Sequence, residues 1–445
     1  MAGVEGRHTM KRQQKIITSA VLAALAAWSV GVSAASLPDV IKQTLATNPN
    51  VQASVSEQRA RTQELKQARS GYYPSVDITA AIGQENSDNY YTRNFVGPGY
   101  IDLTRRESAI NVRQNLFNGF QTSSAVQRAQ ARVGAASYDV IDTAENTALR
   151  ATEVYIDVLR RQRLFQLAQQ FVEKHERIYQ QIKSRARAGV SRTADLDQAE
   201  GRLALARANL VAAENNLHDA QANYQRVVGH FPTGAMQSPP VLDDAIPATQ
   251  EAAVNEAMAN NPALKAATAE VSAAEAQRRE AGNAFYPHFD LVFSQSYNKN
   301  LDGLEGTNKD YSAMLRMRYN LFNGGGDIAR RHQAAQLLSQ SKDLQNRERR
   351  QVVERVRMAW NNLRTAKGQL GFLKQHVDAS AKTRDAYAKQ FSIGQRTLLD
   401  LLDTENELFE ARRAYVNGQL DRIYAEYRLL AATGKLLGEL KIAAQ

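Results

Sequence analysis

The sequence predicts a mainly α-helical chain that also contributes strands to a membrane β-barrel, with one strand-strand-long-helix unit present twice. The pentapeptide Asn-Leu-Phe-Asn-Gly occurs at 115–119 and again at 320–324. A segment of alternating apolar and polar residues precedes each copy, and a long helical pattern without proline follows each. Alternation with period two is typical of a strand with one apolar face. Each pentapeptide is therefore interpreted as a joint between strand and helix, with its second asparagine as helix cap and its glycine in an unusual backbone conformation.

The N-terminal residues 1–34 have the features of a secretory signal peptide, with residues 1–9 as an upstream extension. Lys11, Arg12 and Lys15 precede an apolar stretch that ends in small residues, an order that a buried helix would not need. Outside this segment no apolar run reaches the roughly 18 residues of a membrane helix. Cysteine is absent, which a protein of an oxidising compartment tolerates easily.

The remainder reads as an internal duplication. Asn48-Pro49 returns as Asn261-Pro262, and the two joints follow these pairs in the same order. So large a period indicates a duplicated unit rather than a solenoid. The predicted segments are a first repeat at 36–229, a proline-rich linker at 230–249, a second repeat at 250–438 and a tail at 439–445.

Each repeat begins with a predicted helix, 37–69 or 250–282, which ends before a Tyr-Pro pair because the residue before proline avoids the helical region. Two strands joined by a polar loop follow. The four predicted strands are 75–85, 108–117, 288–297 and 311–322.

The long helices are predicted at 119–188 and 324–393, roughly 105 Å each at 1.5 Å per residue. Their apolar residues recur at four-three spacing, which indicates a coiled-coil seam. Each long helix turns at a glycine, Gly189 or Gly394, into a return helix.

The predicted strands are close to the length that crosses a bilayer at a tilt. Open sheet edges in hydrocarbon leave backbone groups unpaired, so four strands must be completed by further copies of the chain. Two copies would give eight strands and a filled barrel, whereas three would give twelve and a lumen. A soluble helical protein with two short hairpins is the alternative. Aromatic residues at the helix-side strand ends are expected to form a membrane-interface belt: Tyr72, Tyr73, Phe117, Phe285, Tyr286 and Phe322.

The alternation of polar and apolar residues in the strands predicts that one face of the sheet contacts water and the other contacts lipid. Asn111, Arg113, Arg316 and Arg318 are expected to face the barrel lumen, or to pair within the barrel wall. The residues expected to face lipid are Ile110, Val112, Leu315 and Met317.

Catalytic and cofactor chemistry are not indicated. The seven histidines are dispersed, so His175 and His332 are expected at the surface rather than as metal ligands. Gly324-Gly325-Gly326 lacks the lysine of a phosphate-binding loop. No basic run with interleaved aromatic residues points to nucleic acid. We therefore expect a protein that is not an enzyme, without cofactor, metal or nucleic-acid partner.

The sequence resembles the TolC family of outer-membrane export ducts. The resemblance lies in the duplicated plan, the Tyr-Pro pairs, the two joints and the segment Gly-Gln-Arg-Thr-Leu-Leu-Asp-Leu-Leu-Asp at 394–403. The resemblance implies a homotrimer, with a twelve-stranded barrel in the outer membrane of a Gram-negative bacterium and a twelve-helix tunnel in the periplasm. It also implies a periplasmic adaptor protein and an inner-membrane transporter as partners.

The same resemblance implies a gate at the periplasmic end. Arg396 is similar to the gate arginine and Asp195 to its acidic partner, while Asp400 and Asp403 are similar to carboxylate rings that narrow the pore. Phe391 stands where the family often has a tyrosine. The alternative is that Asp195 only caps the return helix and that Arg396 is solvated.

The exposed helical turns are expected to contact the adaptor, although a simple turn would need its glycine as well. The predicted contact residues are Gly189, Val190, Ser191, Gly394 and Gln395. The expected cargo is a protein exported by type I secretion. Many efflux ducts of this kind carry a lipidated cysteine, and this chain has no cysteine. Small molecules exported by multidrug efflux are the alternative, and a soluble periplasmic coiled-coil scaffold is the competing class.

Overall fold

The computed structural model describes residues 36–233 and 236–443. The predicted signal peptide and the end of the predicted tail lie outside these residues. The chain divides into two compact units. The first contains the described residues up to Asn48 together with Thr147–Ala245 and Asn362–Arg428, and the second contains Pro49–Asn146, Ile246–Asn361 and the described residues from Leu429 onward. The units do not coincide with the two sequence repeats, because each long helix contributes one part of its length to each unit.

The first repeat contains, in chain order, α1 (Leu37–Thr47), α2 (Pro49–Ser70), β1 (Ser75–Ser87), α3 (Tyr90–Phe95), β2 (Ile101–Asn118), α4 (Gln121–Arg187) and α5 (Thr193–Val228). The second contains α6 (Gln250–Asn260), α7 (Pro262–Glu280), β3 (His288–Lys299), β4 (Thr307–Arg318), α8 (Gly326–Ser392), α9 (Leu398–Thr433) and α10 (Leu436–Glu439). Short 3-10 turns lie at Asp243–Ala245, within the predicted linker, and at Asn283–Phe285.

The predicted first helix of each repeat is in fact two helices. Asn48 has an extended backbone conformation and Asn261 has a φ of −57° and a ψ of 122°, so neither is helical, and a proline begins the helix that follows each of them. The Asn48 side chain donates to the Val227 carbonyl at 3.5 Å, and the Asn261 side chain donates to the Ala432 carbonyl at 3.2 Å. The prediction of one continuous helix was wrong because it did not apply the restriction that proline places on the preceding residue.

The four strands form one antiparallel sheet in the order β1-β2-β3-β4. β1 and β2 extend further into the predicted polar loop than expected, since Ser87 still pairs with Ile101. β4 begins earlier and ends earlier than its predicted range, pairing from Thr307 to Arg318. Backbone pairing continues beyond the apolar alternation because it does not require an apolar side chain, so the pattern located each strand but not its ends.

One face of the sheet carries a row of exposed apolar side chains. Ile78 on β1 is 75% exposed and Leu315 on β4 is 65% exposed. The row also includes Val76, Ile82, Ile110, Leu291 and Met317. Within the described chain no strand pairs with the outer edge of β1 or of β4. The sheet therefore has two open edges and an uncovered apolar face.

The first joint differs in detail from the second. Thr122 donates its backbone N–H to Asn118 Oδ1 at 3.3 Å, and Gly119 has a φ of +63°. A Cβ on Gly119 would lie 2.4 Å from the Asn283 carbonyl oxygen. Gly324 has a φ of +55°, but a Cβ there would meet nothing within 4 Å. The two glycines thus share a left-handed backbone, and only the first is also required by close packing.

We expect Gly119→Ala to destabilise the protein more than Gly324→Ala. Each substitution strains a left-handed backbone by about 1–2 kcal/mol, and the first also forces the Asn283 carbonyl to move. The measurement is thermal unfolding of both variants by circular dichroism in the same detergent. Equal shifts in melting temperature would show that the contact at Asn283 does not constrain the joint.

Candidate functional site

The two helical turns of the first compact unit are built alike. Gly189 and Gly394 have φ angles of +74° and +79°. In both turns the residue after the glycine donates its N–H, at 2.9 Å, to a carbonyl of the preceding helix: Val190 to Arg185 and Gln395 to Gln390. This is the usual way in which a left-handed residue ends a helix. The sequence-predicted contact residues lie at these turns, and Val190 is 77% exposed.

Asp195 is bound within its own turn. Its Oδ2 accepts hydrogen bonds from the Ser191 hydroxyl at 3.0 Å and from the Arg192 N–H at 3.4 Å. An acidic side chain in the first turn of a helix satisfies free N–H groups and faces the positive end of the helix dipole. In a single chain Asp195 therefore holds the start of α5.

Arg396 contacts the end of α8. Its Nε donates to Gln390 Oε1 at 3.1 Å, and its guanidinium lies 4.3 Å from the centre of the Tyr387 ring. Among the described residues no ion pair joins Arg396 to Asp195, so their pairing across subunits stays a prediction. The sequence analysis missed Tyr387, although it lies one helical turn before Phe391.

Asp400 forms a capping box with Thr397. Its Oδ2 accepts from the Thr397 N–H at 3.1 Å and from the Thr397 hydroxyl at 2.9 Å. These bonds lower the pKa of Asp400 below its ordinary value, and the positive charge of Arg396 adds to the shift. Asp400 is therefore ionised at neutral pH.

Asp403 has a cationic partner that the sequence analysis did not identify. Its Oδ1 lies 3.0 Å from Arg202 Nη2, which links α9 to α5. Both side chains are substantially exposed, so the pair contributes little stability, about 0–1 kcal/mol. The sequence predicts the same role for Asp400 and Asp403, but their surroundings differ. Asp403 faces a cation on another helix, whereas Asp400 is held by its own turn.

Phe391 is buried, with 8% of its surface exposed. The guanidinium of Arg185 lies 5.1 Å from the centre of its ring. It packs in a cluster with Ile178, Ile182, Ala199, Leu398, Leu401 and Leu402. In the single chain Phe391 therefore fixes the two turns by apolar contact.

The polar face of the sheet contains a charged pair. Arg113 Nη2 lies 3.2 Å from Asp290 Oδ2, and the Asn115 side chain donates to Asp290 Oδ1 at 2.9 Å. Ser294 donates to Asn111 Oδ1 at 2.7 Å. The predicted lumen residues did not include Asp290 and Ser294, because lumen residues were predicted only on the second strand of each repeat.

The remaining two arginines of this face lie on β4. Arg316 stands opposite Asp290 and Arg318 stands opposite His288 in the strand register. Directly opposed residues share a sheet face. Asn111, Arg113, Arg316 and Arg318 are therefore on the same side of the sheet as Asp290.

His175 is a correction to the sequence analysis, which expected it at the surface. Only 3% of it is exposed, and its ring centre lies 4.3 Å from that of Phe171. Neither ring nitrogen has a hydrogen-bond partner among the described residues. Burial, with a smaller contribution from Arg202, lowers the pKa of His175 to about 4. The dispersed histidine pattern gave no sign of this burial.

In the part of the chain that the structure describes, no cluster of three or more His, Cys, Asp or Glu side chains could hold a metal ion. No helix of the described ranges is both long and apolar enough to cross a membrane.

We expect His175 to make stability depend on pH. Its pKa is about 4 in the folded chain and ordinarily about 6.5 when exposed. The unfolded chain therefore binds more protons between these values, and stability should fall as pH decreases from about 6.5 to 4, by at most about 3 kcal/mol. His175→Leu should remove this slope in thermal unfolding measured across that range. The exposed His218→Leu variant is the control, and an unchanged slope in His175→Leu would contradict the assignment.

A protein-family model described as outer membrane efflux protein matches residues 40–230 and 253–435. The chain is 25% identical over 395 residues to the outer membrane efflux protein BepC of Brucella suis, covering 88% of this chain and 84% of BepC. It is 24% identical over 433 residues to the outer membrane protein TolC of Vibrio cholerae, covering 95% and 96%. It is 24% identical over 405 residues to the alkaline protease secretion protein AprF of Pseudomonas aeruginosa, covering 88% and 83%.

The fold also has a close structural neighbour. The crystal structure of the outer membrane protein VceC from Vibrio cholerae matches with a TM-score of 0.77 at 17% identity, over 89% of this chain and 96% of that one. This likeness confirms the predicted fold class, and the family match confirms the predicted outer-membrane location. The duplicated strand-strand-long-helix chain belongs to the outer membrane efflux protein family.

Proposed function

We propose that three copies of the chain form a passive, gated duct through the outer membrane. The observation that carries the proposal is the open four-stranded sheet with its exposed apolar face. Each unpaired backbone group in hydrocarbon costs several kcal/mol, so the edges of β1 and β4 require partners. Three sheets would supply twelve strands, enough for a barrel with a lumen, and the long helices would form a twelve-helix tunnel in the periplasm.

The two faces of the sheet support this orientation. The apolar row would meet lipid, and the face with Arg113 and Asp290 would line the aqueous lumen. Arg316 lies opposite Asp290, so a carboxylate stands between two arginines on the proposed inner wall. Such an arrangement satisfies both charge and hydrogen bonding without lipid contact.

At the helical turns, Arg396 and Asp195 would close the duct by pairing between subunits, because they do not pair within one chain. Each makes only exposed or local contacts in the single chain, so both remain available to a neighbouring subunit. Asp400, ionised and only half-buried at the same turn, would present three carboxylates around the axis of a trimer.

Two partner proteins are proposed, an inner-membrane transporter and a periplasmic adaptor. No nucleotide-binding loop is present in the sequence, so energy for transport would come from an inner-membrane transporter. A periplasmic adaptor protein would join that transporter to the exposed turns around Val190 and Gln395. We therefore assign no enzymatic activity to the chain.

For the cargo we favour a protein exported by type I secretion. The absence of cysteine excludes the lipidated cysteine that many efflux ducts carry, and a relative, AprF, is described as a secretion protein. Drug efflux is the second candidate, since BepC is described as an efflux protein. A soluble periplasmic scaffold is disfavoured, because it would leave the apolar face of the sheet in water.

We expect the protein to remain in membranes washed with high salt and to elute as a trimer after detergent extraction. The reason is that the exposed apolar face and open edges require both lipid and neighbouring copies. The measurement is membrane fractionation followed by light scattering of the purified protein. Release by salt alone, or a monomer in detergent, would contradict the duct.

A gate held by Arg396 and Asp195 should loosen when both are replaced by alanine. We expect severalfold higher single-channel conductance in planar bilayers, since removing both charges removes the link without leaving one unpaired. The control replaces Arg150 and Glu153, an ion pair of 2.5 Å on the exposed side of α4, by alanine. Unchanged conductance in the gate variant would refute the pairing.

A further inference from the structure

A groove of about 690 Å³ lies in the second compact unit, where the strands give way to helices. It runs along α7, between the start of α4 and the start of α8. Four basic residues line it: Arg278, Arg279, Arg331 and Lys342. Three aromatic residues line it as well: Phe120, Phe285 and Tyr286.

The aromatic lining of the groove adjoins the apolar side of the sheet. Phe117 stands opposite Phe289 in the register, and Phe289 shares its face with Leu291 and the other exposed apolar residues. The Phe120 ring lies 5.3 Å from the Phe117 ring and 5.6 Å from the Tyr286 ring. These rings connect the apolar face to the basic groove without a break.

The charge of the groove is strongly positive. Glu275 is the one carboxylate among the residues lining it, against the four cations. Arg279 donates to Gln127 Oε1 at 2.9 Å, and the Arg331 guanidinium lies 5.8 Å from the Phe285 ring centre. Within the described chain none of the four cations forms an ion pair. Their charge is therefore available to an anion from outside the chain.

The internal duplication shows that this charge is not required by the repeat. When the two Asn-Pro pairs or the two joints are aligned, each of the four cations, all of which lie in the second repeat, has a counterpart in the first repeat. The counterparts of Arg278, Arg279, Arg331 and Lys342 are Leu65, Lys66, Val126 and Ser137. Three of the four cations are therefore specific to the second repeat, which indicates a local role rather than a structural one.

We propose that the groove binds the phosphate headgroup of an anionic phospholipid in the periplasmic leaflet of the outer membrane. Arginine guanidinium groups form paired hydrogen bonds with phosphate, and basic residues beside a bilayer attract anionic lipid. Aromatic rings occupy the headgroup level of membrane proteins, as Phe120 and Tyr286 would here. The acyl chains would lie along the apolar face beside Phe117.

This inference rests on the proposed orientation of the sheet in the membrane. A headgroup at the groove would fix the height of the strand-helix joint relative to the membrane surface. Exported cargo is a poorer occupant, because the groove adjoins the apolar side of the sheet through Phe117, whereas Arg113 and Asp290 lie on the other side.

The test compares two double variants of equal charge. The groove variant combines Arg278→Gln with Arg331→Gln. The control combines Arg330→Gln with Arg347→Gln, two exposed residues of α8 outside the groove. Purified, delipidated trimers of each are titrated with dioleoyl phosphatidylglycerol, and bound lipid is counted by native mass spectrometry. Dioleoyl phosphatidylethanolamine and inorganic phosphate serve as the zwitterionic and lipid-free probes.

We expect wild type and control to bind phosphatidylglycerol alike, and the groove variant to bind it at least about tenfold more weakly. Equal binding by all three proteins, or no binding by wild type, would overturn the proposal. Competition by inorganic phosphate at the lipid's own concentration would make the groove a general anion site and also overturn it. Loss of the trimer in the groove variant alone would assign the groove to a subunit contact instead.

If the double change prevents folding, the single variant Lys342→Gln, at the far end of the groove, replaces it. We expect this variant also to bind phosphatidylglycerol more weakly than wild type. Unchanged lipid binding in this variant would then count against the proposal. Conductance is measured on the same samples. Conducting trimers that bind lipid equally in all variants would remove this inference and leave the proposed duct intact, whereas wild-type protein released by salt would remove the duct itself.

Discussion

The unpaired edges of the four-stranded sheet constrain the rest of the molecule. A single chain leaves the backbone of β1 and β4 without partners and exposes an apolar row such as Ile78 and Leu315. Neither condition is stable in water, and the open edges are not stable in lipid either. In the proposed duct, further copies supply the missing strands, and the helices that follow the joints are arranged around a shared axis. The unpaired backbone groups are the reason for proposing assembly, and the side chains then decide which face of the sheet turns inward.

Duplication gives the chain two versions of each element, and the differences between them separate structure from function. Both turns end with a left-handed glycine and the same hydrogen bond, so that geometry belongs to the fold. The joints diverge, since Gly119 packs against the Asn283 carbonyl while Gly324 meets open space. The turns diverge too, because Asp195 and Asp400 each hold the start of a helix whereas the position of Arg396 in the second turn is occupied by Ser191 in the first. A feature found in only one of the two repeats is not explained by the fold that both repeats share.

The sequence predicted the duplicated plan and the fold class because period and order survive in the pattern. It located the strands but misplaced their ends, since pairing such as Ser87 with Ile101 depends on the partner strand rather than on apolar alternation. At the site it identified the residues of the turns but not their neighbours. Arg202 reaches Asp403 from a different helix, and Phe171, which packs against the buried His175, stacks on Phe409 of α9. Such contacts have no local signature, so no spacing rule could have revealed them.

The charges of Asp400 and Asp403 depend on neighbouring residues that sequence spacing does not identify. Asp400 and Asp403 lie one helical turn apart and would form equivalent rings if sequence spacing alone decided their roles. Thr397 holds Asp400 in its ionised form without adding a charge of its own, whereas Arg202 offsets the charge of Asp403. Arg396, from the same turn as Asp400, makes a smaller electrostatic contribution to its lowered pKa, so each carboxylate has an arginine nearby but only that of Asp403 comes from another helix. In the proposed duct, a rearrangement that moved α5 away from α9 would separate Arg202 from Asp403, and opening the turns would then change the charge of the passage as well as its width.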